Sequence, residues 1–158
     1  MVPPPDPPHG GIDARLNKSL VLFLAAHNIS GEVHHPREPI YKDARGGTYL
    51  EPDMMYVSDE LRESMGQKRT SADIVFEYVS KSNAVYDRTT KADTYLALGV
   101  RELWLIDPAS GTIEVRNSIL RSERRVWAIR IYAAGESAES RLLQGWAVSV
   151  DDLFAGLI

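Results

Sequence analysis

The chain has 158 residues, 18 of them basic and 22 acidic, for a formal charge of −4. That length predicts one domain, and the charge balance excludes a strongly basic, histone-like polyanion binder while leaving room for a local basic groove. No cysteine is present, which excludes disulfides, thiolate zinc sites and cysteine nucleophiles. The longest apolar run, Leu20 to Ala26, is seven residues, against the roughly 18 needed to span a bilayer. The opening MVPPPDPPHGG lacks the basic-then-apolar layout of a secretory leader. The expectation is a soluble cytoplasmic protein with no membrane contact.

Residues 1–11 read as an extended arm, because five of the nine prolines lie between Pro3 and Pro8 and proline is disruptive inside a helix. Residues 12–158 read as a single domain. Ile12, Leu16, Leu20, Phe23 and His27 recur at spacings of three and four, which predicts a helix over 12–28 with one buried stripe. EVHHPREPI follows as a strand. Neighbours on a strand point to opposite faces, so His34 and His35 are not expected to share one metal ion. Gly46–Gly47 predicts a turn, and Tyr49 to Val57 a strand with an irregularity at Pro52. Ser58 to Ser71 predicts a loop or short helix, and Asp73 to Ser80 (DIVFEYVS) a strand.

A helix is predicted over Asp87 to Leu98, with Asp87 as its N-cap and Gly99 as its stop. Leu103 to Ile106 (LWLI) is apolar on both faces, as in a central strand. Strand, helix and strand in that order predict a right-handed βαβ unit. Asp107–Pro108 ends the strand. Ile113 and Val115 alternate in one further strand, and Trp127, Ile129 and Ile131 in another. The tail predicts a short strand and a terminal helical turn. The fold class is α/β, a mixed β-sheet flanked by helices.

Three polar residues interrupt this apolar scaffold. Asp53 follows Pro52 in PDMMYV, Glu77 sits in the middle of DIVFEYVS, and Lys91 lies one turn into the next helix. Carboxylates are rarely buried without a partner. Two on neighbouring strands would repel each other unless a cation sits between them, and hard oxygen ligands suit Mg²⁺ or Mn²⁺. A lysine beside such a site can orient water and neutralise a phosphate. Taken singly, each residue has a blander reading: a turn aspartate, an edge glutamate, a surface lysine.

The segments PDMMYV, ADIVFEYVSKSN, DRTTKADTYLALGVRELWLIDP and GWAVSVDDLF, in this order, resemble the putative restriction endonuclease family of the PD-(D/E)XK nuclease superfamily. The resemblance runs from about Gly10 to the end, and it extends to His9 and the helical stripe behind it. It implies a restriction endonuclease-like core in which Asp53 and Glu77 are the two acids and Lys91 the catalytic lysine. The superfamily's usual lysine position, two residues after the second acid, holds Val79 here, so the lysine looks to have migrated to the helix. Tyr95 shares the helix face of Lys91. No match for the glutamate that family members carry before the first long helix is evident, which predicts weakened activity; Asp73 is an accessory candidate.

Two functional readings follow. In the first, the chain is a metal-dependent endonuclease acting on DNA. Asp53, Glu77 and the carbonyl of Tyr78 hold Mg²⁺ or Mn²⁺, Lys91 positions water, and Lys68, Arg69, Lys81, Arg88 and the Arg121–Arg130 stretch meet the phosphate backbone, in a homodimer. In the second, the nuclease fold persists as a catalytically weakened or inactive nucleic-acid-binding or assembly module. A metal-free interaction domain stays open if Asp53 and Glu77 do not meet.

Overall fold

The computed structural model describes residues 7–157. Its first helix, α1 (Pro7–Ala26), begins earlier than the sequence suggests. Prolines in the first helical turn lack only an N–H that has no intrahelical acceptor there, so Pro7 and Pro8 open the helix instead of blocking it. The expected arm therefore ends before Pro7, and residues 1–6 lie outside the described part. The predicted stripe is present: Ile12, Leu16, Leu20 and Leu24 are buried. His27 stays exposed at the end, stacked on Phe23.

The chain then runs through β1 (Glu32–His34), β2 (Ile40–Tyr41), β3 (Tyr49–Leu50), β4 (Met54–Val57), α2 (Asp59–Ser64), β5 (Ile74–Tyr78), α3 (Ala84–Tyr86), a π-helical turn (Asp87–Lys91), α4 (Ala92–Ala97), β6 (Glu102–Asp107), β7 (Thr112–Arg121), β8 (Arg124–Tyr132), β9 (Ser137–Glu139), β10 (Ala147–Ser149) and α5 (Val150–Phe154). The main sheet has the order β1-β4-β5-β6-β7-β8, and β2–β3 and β9–β10 form two small ribbons. β5 and β6 are parallel while the other neighbours are antiparallel. A parallel pair needs a crossover, and the helical stretch from α3 to α4 supplies it. The single strand expected over 49–57 is two, β3 and β4, broken around Pro52.

Strict alternation on β5 divides the core. Ile74, Phe76 and Tyr78 face α1, α5 and the β9–β10 ribbon, with Trp104 and Trp146 stacked beside them at 4.9 Å. Val75 and Val79 face α4 with Leu103, Leu105 and Tyr95. Each such side chain contributes about 1.5–3 kcal/mol on burial. The hairpin between β7 and β8 turns on Ser122 and Glu123, both at positive φ (49° and 66°), as a two-residue turn of the primed type requires.

Glu102, at the start of β6, is fully buried. Its carboxylate accepts from Trp104 Nε1, Ser140 Oγ, Arg141 N and Leu142 N at 2.7–3.2 Å. These bonds tie the loop after β9 to the centre of the sheet.

Candidate active site

The ladder between β4 and β5 pairs Met54 with Phe76 and Met55 with Val75. Continued by one residue, this register sets Asp53 across from Glu77 on the sheet face that α4 covers. β4 starts only at Met54, and the Asp53 side chain takes over from the ladder: its Oδ2 accepts the Tyr78 backbone N–H at 2.7 Å. Proline at position 52 ends regular pairing at this point, which leaves the aspartate half-buried beside the strand end.

Glu77 is only 2% exposed. Its Oε1 accepts the Tyr95 hydroxyl at 2.6 Å and pairs with Lys91 Nζ at 2.9 Å. Lys91 Nζ is also 3.9 Å from Asp87 Oδ1. Asp87, Lys91 and Tyr95 follow one another at intervals of four, so one helix presents all three to Glu77. The π turn lies over Asp87–Lys91; single π turns recur at functional sites.

Asp87 is not the N-cap expected from its sequence. The helix begins before it, after Asn83, and Asp87 is buried inside. Its Oδ2 is the only buried side-chain polar atom with no hydrogen-bond partner among the described residues. The pattern Asp-x₃-Lys-x₃-Tyr is the signal that could have found it, masked by a capping residue's resemblance to an ordinary helix start.

Burial pushes the Glu77 carboxyl up to about 8, with the Asp53 charge adding to the rise and Lys91 and Tyr95 opposing it. Burial likewise raises Asp87 to about 6, against the pull of Lys91. Burial alone would lower the Lys91 ammonium, but Glu77, Asp87 and Asp53 outweigh it and hold it above its ordinary value. The Tyr95 hydroxyl is raised by burial and by Glu77. Both carboxyls thus hold their protons to higher pH in the folded chain than in the unfolded chain. Stability without divalent cations is therefore expected to fall as pH rises from about 4.5 towards 8, the interval between the ordinary and folded values of Glu77. Melting temperatures measured across roughly pH 5–8 check the sign; a rising curve would mean that the acids ionise without penalty.

The N-terminal end of α1 reaches the same corner. His9 and Tyr78 rings lie 6.0 Å apart, and His9 bears electrostatically on Asp87. The Tyr78 hydroxyl, on the opposite sheet face from Glu77, donates to Asp13 at 2.5 Å. His34 and His35 have separate partners, Glu32 for the first and Asp13 and Asn17 for the second.

Other sequence candidates sit elsewhere. Asp73 accepts the Ser58 N–H at the far end of β5 and secures the start of α2. Arg88 pairs with Asp107 at 3.0 Å and approaches Glu114 at 3.8 Å, so its charge is committed within the fold. Arg69 pairs with Glu38, and Lys68 lies over the Tyr41 ring. Lys81, Arg121, Arg124 and Arg125 are exposed. The last three cluster at the β7–β8 turn, beyond the Glu102–Asn117 pair and at the opposite end of the sheet from Glu77.

As the side chains stand, no three His, Asp or Glu groups among the described residues converge to hold a metal ion. Lys91 lies between Glu77 and Asp87. The donor chemistry nevertheless fits a hard divalent cation: Asp53 and Glu77 are two hard-oxygen carboxylates close enough for the Asp53 charge to act on the Glu77 carboxyl.

The protein is an α/β fold with a mixed sheet, a parallel pair at its centre, crossed by a helix that carries a lysine to a strand glutamate. The chain belongs to the Uma2 family, described as a putative restriction endonuclease, whose model matches residues 1–151. A crystal structure of a putative nuclease belonging to DUF820 from Anabaena variabilis superposes with a TM-score of 0.71 at 18% identity, over 99% of this chain and 85% of that one. No curated protein matches the chain in sequence. No helix among the described residues is long and apolar enough to cross a membrane. Family membership supports a nuclease function, a hydrolase acting on phosphodiester bonds.

Proposed function

We propose that the protein is a divalent-metal-dependent endonuclease that hydrolyses DNA, with Asp53, Glu77 and Lys91 as its working groups. The observation that carries this reading is the Lys91–Glu77 contact of 2.9 Å on the sheet face that Asp53 shares by register. Asp53, Glu77 and the Tyr78 carbonyl would hold Mg²⁺ or Mn²⁺. Such an ion supplies Lewis-acid polarisation of the phosphate and acidifies water. The Lys91 ammonium, kept charged by its carboxylate neighbours, orients the attacking water and offsets charge developing on the phosphate. Tyr95 holds Glu77 by its hydroxyl, which fixes the carboxylate orientation. The family points to a nucleic-acid substrate; the exposed arginines at the β7–β8 turn fit a duplex backbone long enough to span the sheet. Cutting both strands at one site needs two such centres, so the acting form in this reading is a homodimer.

The test is cleavage of plasmid and linear DNA with Mg²⁺ or Mn²⁺, by the wild type and by Lys91→Met. The variant is expected to bind the cation as well as the wild type or slightly better, because a neighbouring positive charge is gone. Its cleavage is expected to slow by about a hundredfold or more, the usual effect of losing one positioned electrostatic group. Cleavage at the normal rate would remove Lys91 from the chemistry and return Lys81 as the candidate.

A further inference from the structure

Lys91 faces a conflict in this site. Its ammonium rests on the same Glu77 oxygen that accepts the Tyr95 hydroxyl. A divalent cation drawn to Glu77 brings two positive charges into that corner and repels the ammonium. The lysine is half-buried between strand and helix, with its side chain 14% exposed, so leaving Glu77 for water means giving up an ion pair for partial solvation. It needs a second acceptor nearby.

We propose that Asp87 is that acceptor, a positioning residue that receives the Lys91 ammonium when Glu77 turns to the cation. This inference rests on the reading of Asp53 and Glu77 as the cation's ligands. Three observations meet on it. Asp87 Oδ1 stands 3.9 Å from Nζ, outside hydrogen-bond range, while Glu77 holds the ammonium at 2.9 Å. A shift of about 1 Å by a flexible four-carbon stem closes the gap to an ordinary charge-assisted bond. The other oxygen of the same carboxylate, Oδ2, is buried with no partner, a costly condition that an ammonium brought into full contact with the carboxylate offsets. Both residues stand in one π turn, four positions apart, so acceptor and lysine keep their spacing whatever the strand does. Asp87 thus acts through Lys91 and does not touch the cation.

A double-mutant cycle read by Mn²⁺ binding tests this without any cleavage measurement. In the otherwise natural protein, Asp87→Asn is expected to weaken Mn²⁺ about tenfold, since the ammonium loses its alternative and competes for Glu77. In the Lys91→Met background, the same Asp87→Asn change is expected to leave Mn²⁺ binding unaltered. Equal weakening in both backgrounds would make Asp87 a direct ligand and overturn the proposal. No weakening in either would make Asp87 idle and overturn it as well. Asp87→Asn is also expected to melt no lower than the wild type, because it removes a carboxylate whose burial cost exceeds the pull of Lys91 and leaves one oxygen without a partner. A lower melting temperature would assign Asp87 a structural role instead. If the wild type binds no Mn²⁺, or Glu77→Gln binds it undiminished, the underlying cation reading fails and this inference falls with it.

Discussion

Glu77→Gln is expected to abolish divalent-dependent cleavage, by at least about a hundredfold, while the protein still folds. The substitution keeps the shape of the side chain and an oxygen that can accept from Tyr95 and Lys91. What it removes is the negative charge that a hard cation requires. The buried carboxyl is raised to about 8 and sits opposite Asp53, so the fold gains little from its ionisation. Folding and function therefore separate at this residue. The measurement is cleavage with Mg²⁺ or Mn²⁺ alongside a thermal melt. Undiminished cleavage would reject the metal role, and a collapsed melt would make Glu77 a structural residue.

Glu102 is expected to behave in the opposite way. Glu102→Ala strips the acceptor from four donors, Trp104 Nε1, Ser140 Oγ and the N–H groups of Arg141 and Leu142. Two of those donors are main-chain N–H groups of the loop between β9 and β10. Losing the acceptor from a buried, charge-assisted set costs about 3–5 kcal/mol. For a chain of this size that lowers the melting temperature by roughly 10 °C. Calorimetry or a denaturant melt reads it. A loss below about 1 kcal/mol would show that water replaces the carboxylate. Glu102→Gln, which keeps one acceptor oxygen, should fall between the two.

The contrast shows what local pattern can carry. β5 and β6 are legible because DIVFEYVS and LWLI are short, β-rich apolar runs, and α1 because its apolar residues keep helical spacing. Asp53 and Glu77 stand out as charges interrupting such runs. The β4–β5 ladder ends at Met54 and Phe76, and carrying that register on by one residue sets them opposite each other. Asp87 is easily misread because an aspartate ahead of a helical pattern is a favoured N-cap, and nothing local says that the helix begins earlier. The start of α1 is misplaced by the sequence because proline's penalty vanishes in the first turn. Glu102 gives no sign of its network, since its loop partners lie 38–40 residues downstream. Arg88 looks like a free basic residue until β6 and β7 bring Asp107 and Glu114 to it.

The π turn has a consequence for how the protein can vary. Its helix is fastened from outside by two side chains of the neighbouring hairpin: Arg116 Nη1 donates to the Arg88 carbonyl at 3.0 Å, and Trp127 Nε1 to the Ala92 carbonyl at 3.1 Å. These carbonyls flank Lys91. The lysine's place is therefore written partly on β7 and β8, strands that carry neither the proposed cation ligands nor the proposed catalytic lysine. Drift in that hairpin would detune the reactive corner with every reactive residue intact. Conversely, a lysine carried on the helix leaves position 79 to a valine that packs into the core, so catalytic geometry and sheet packing can evolve on separate elements.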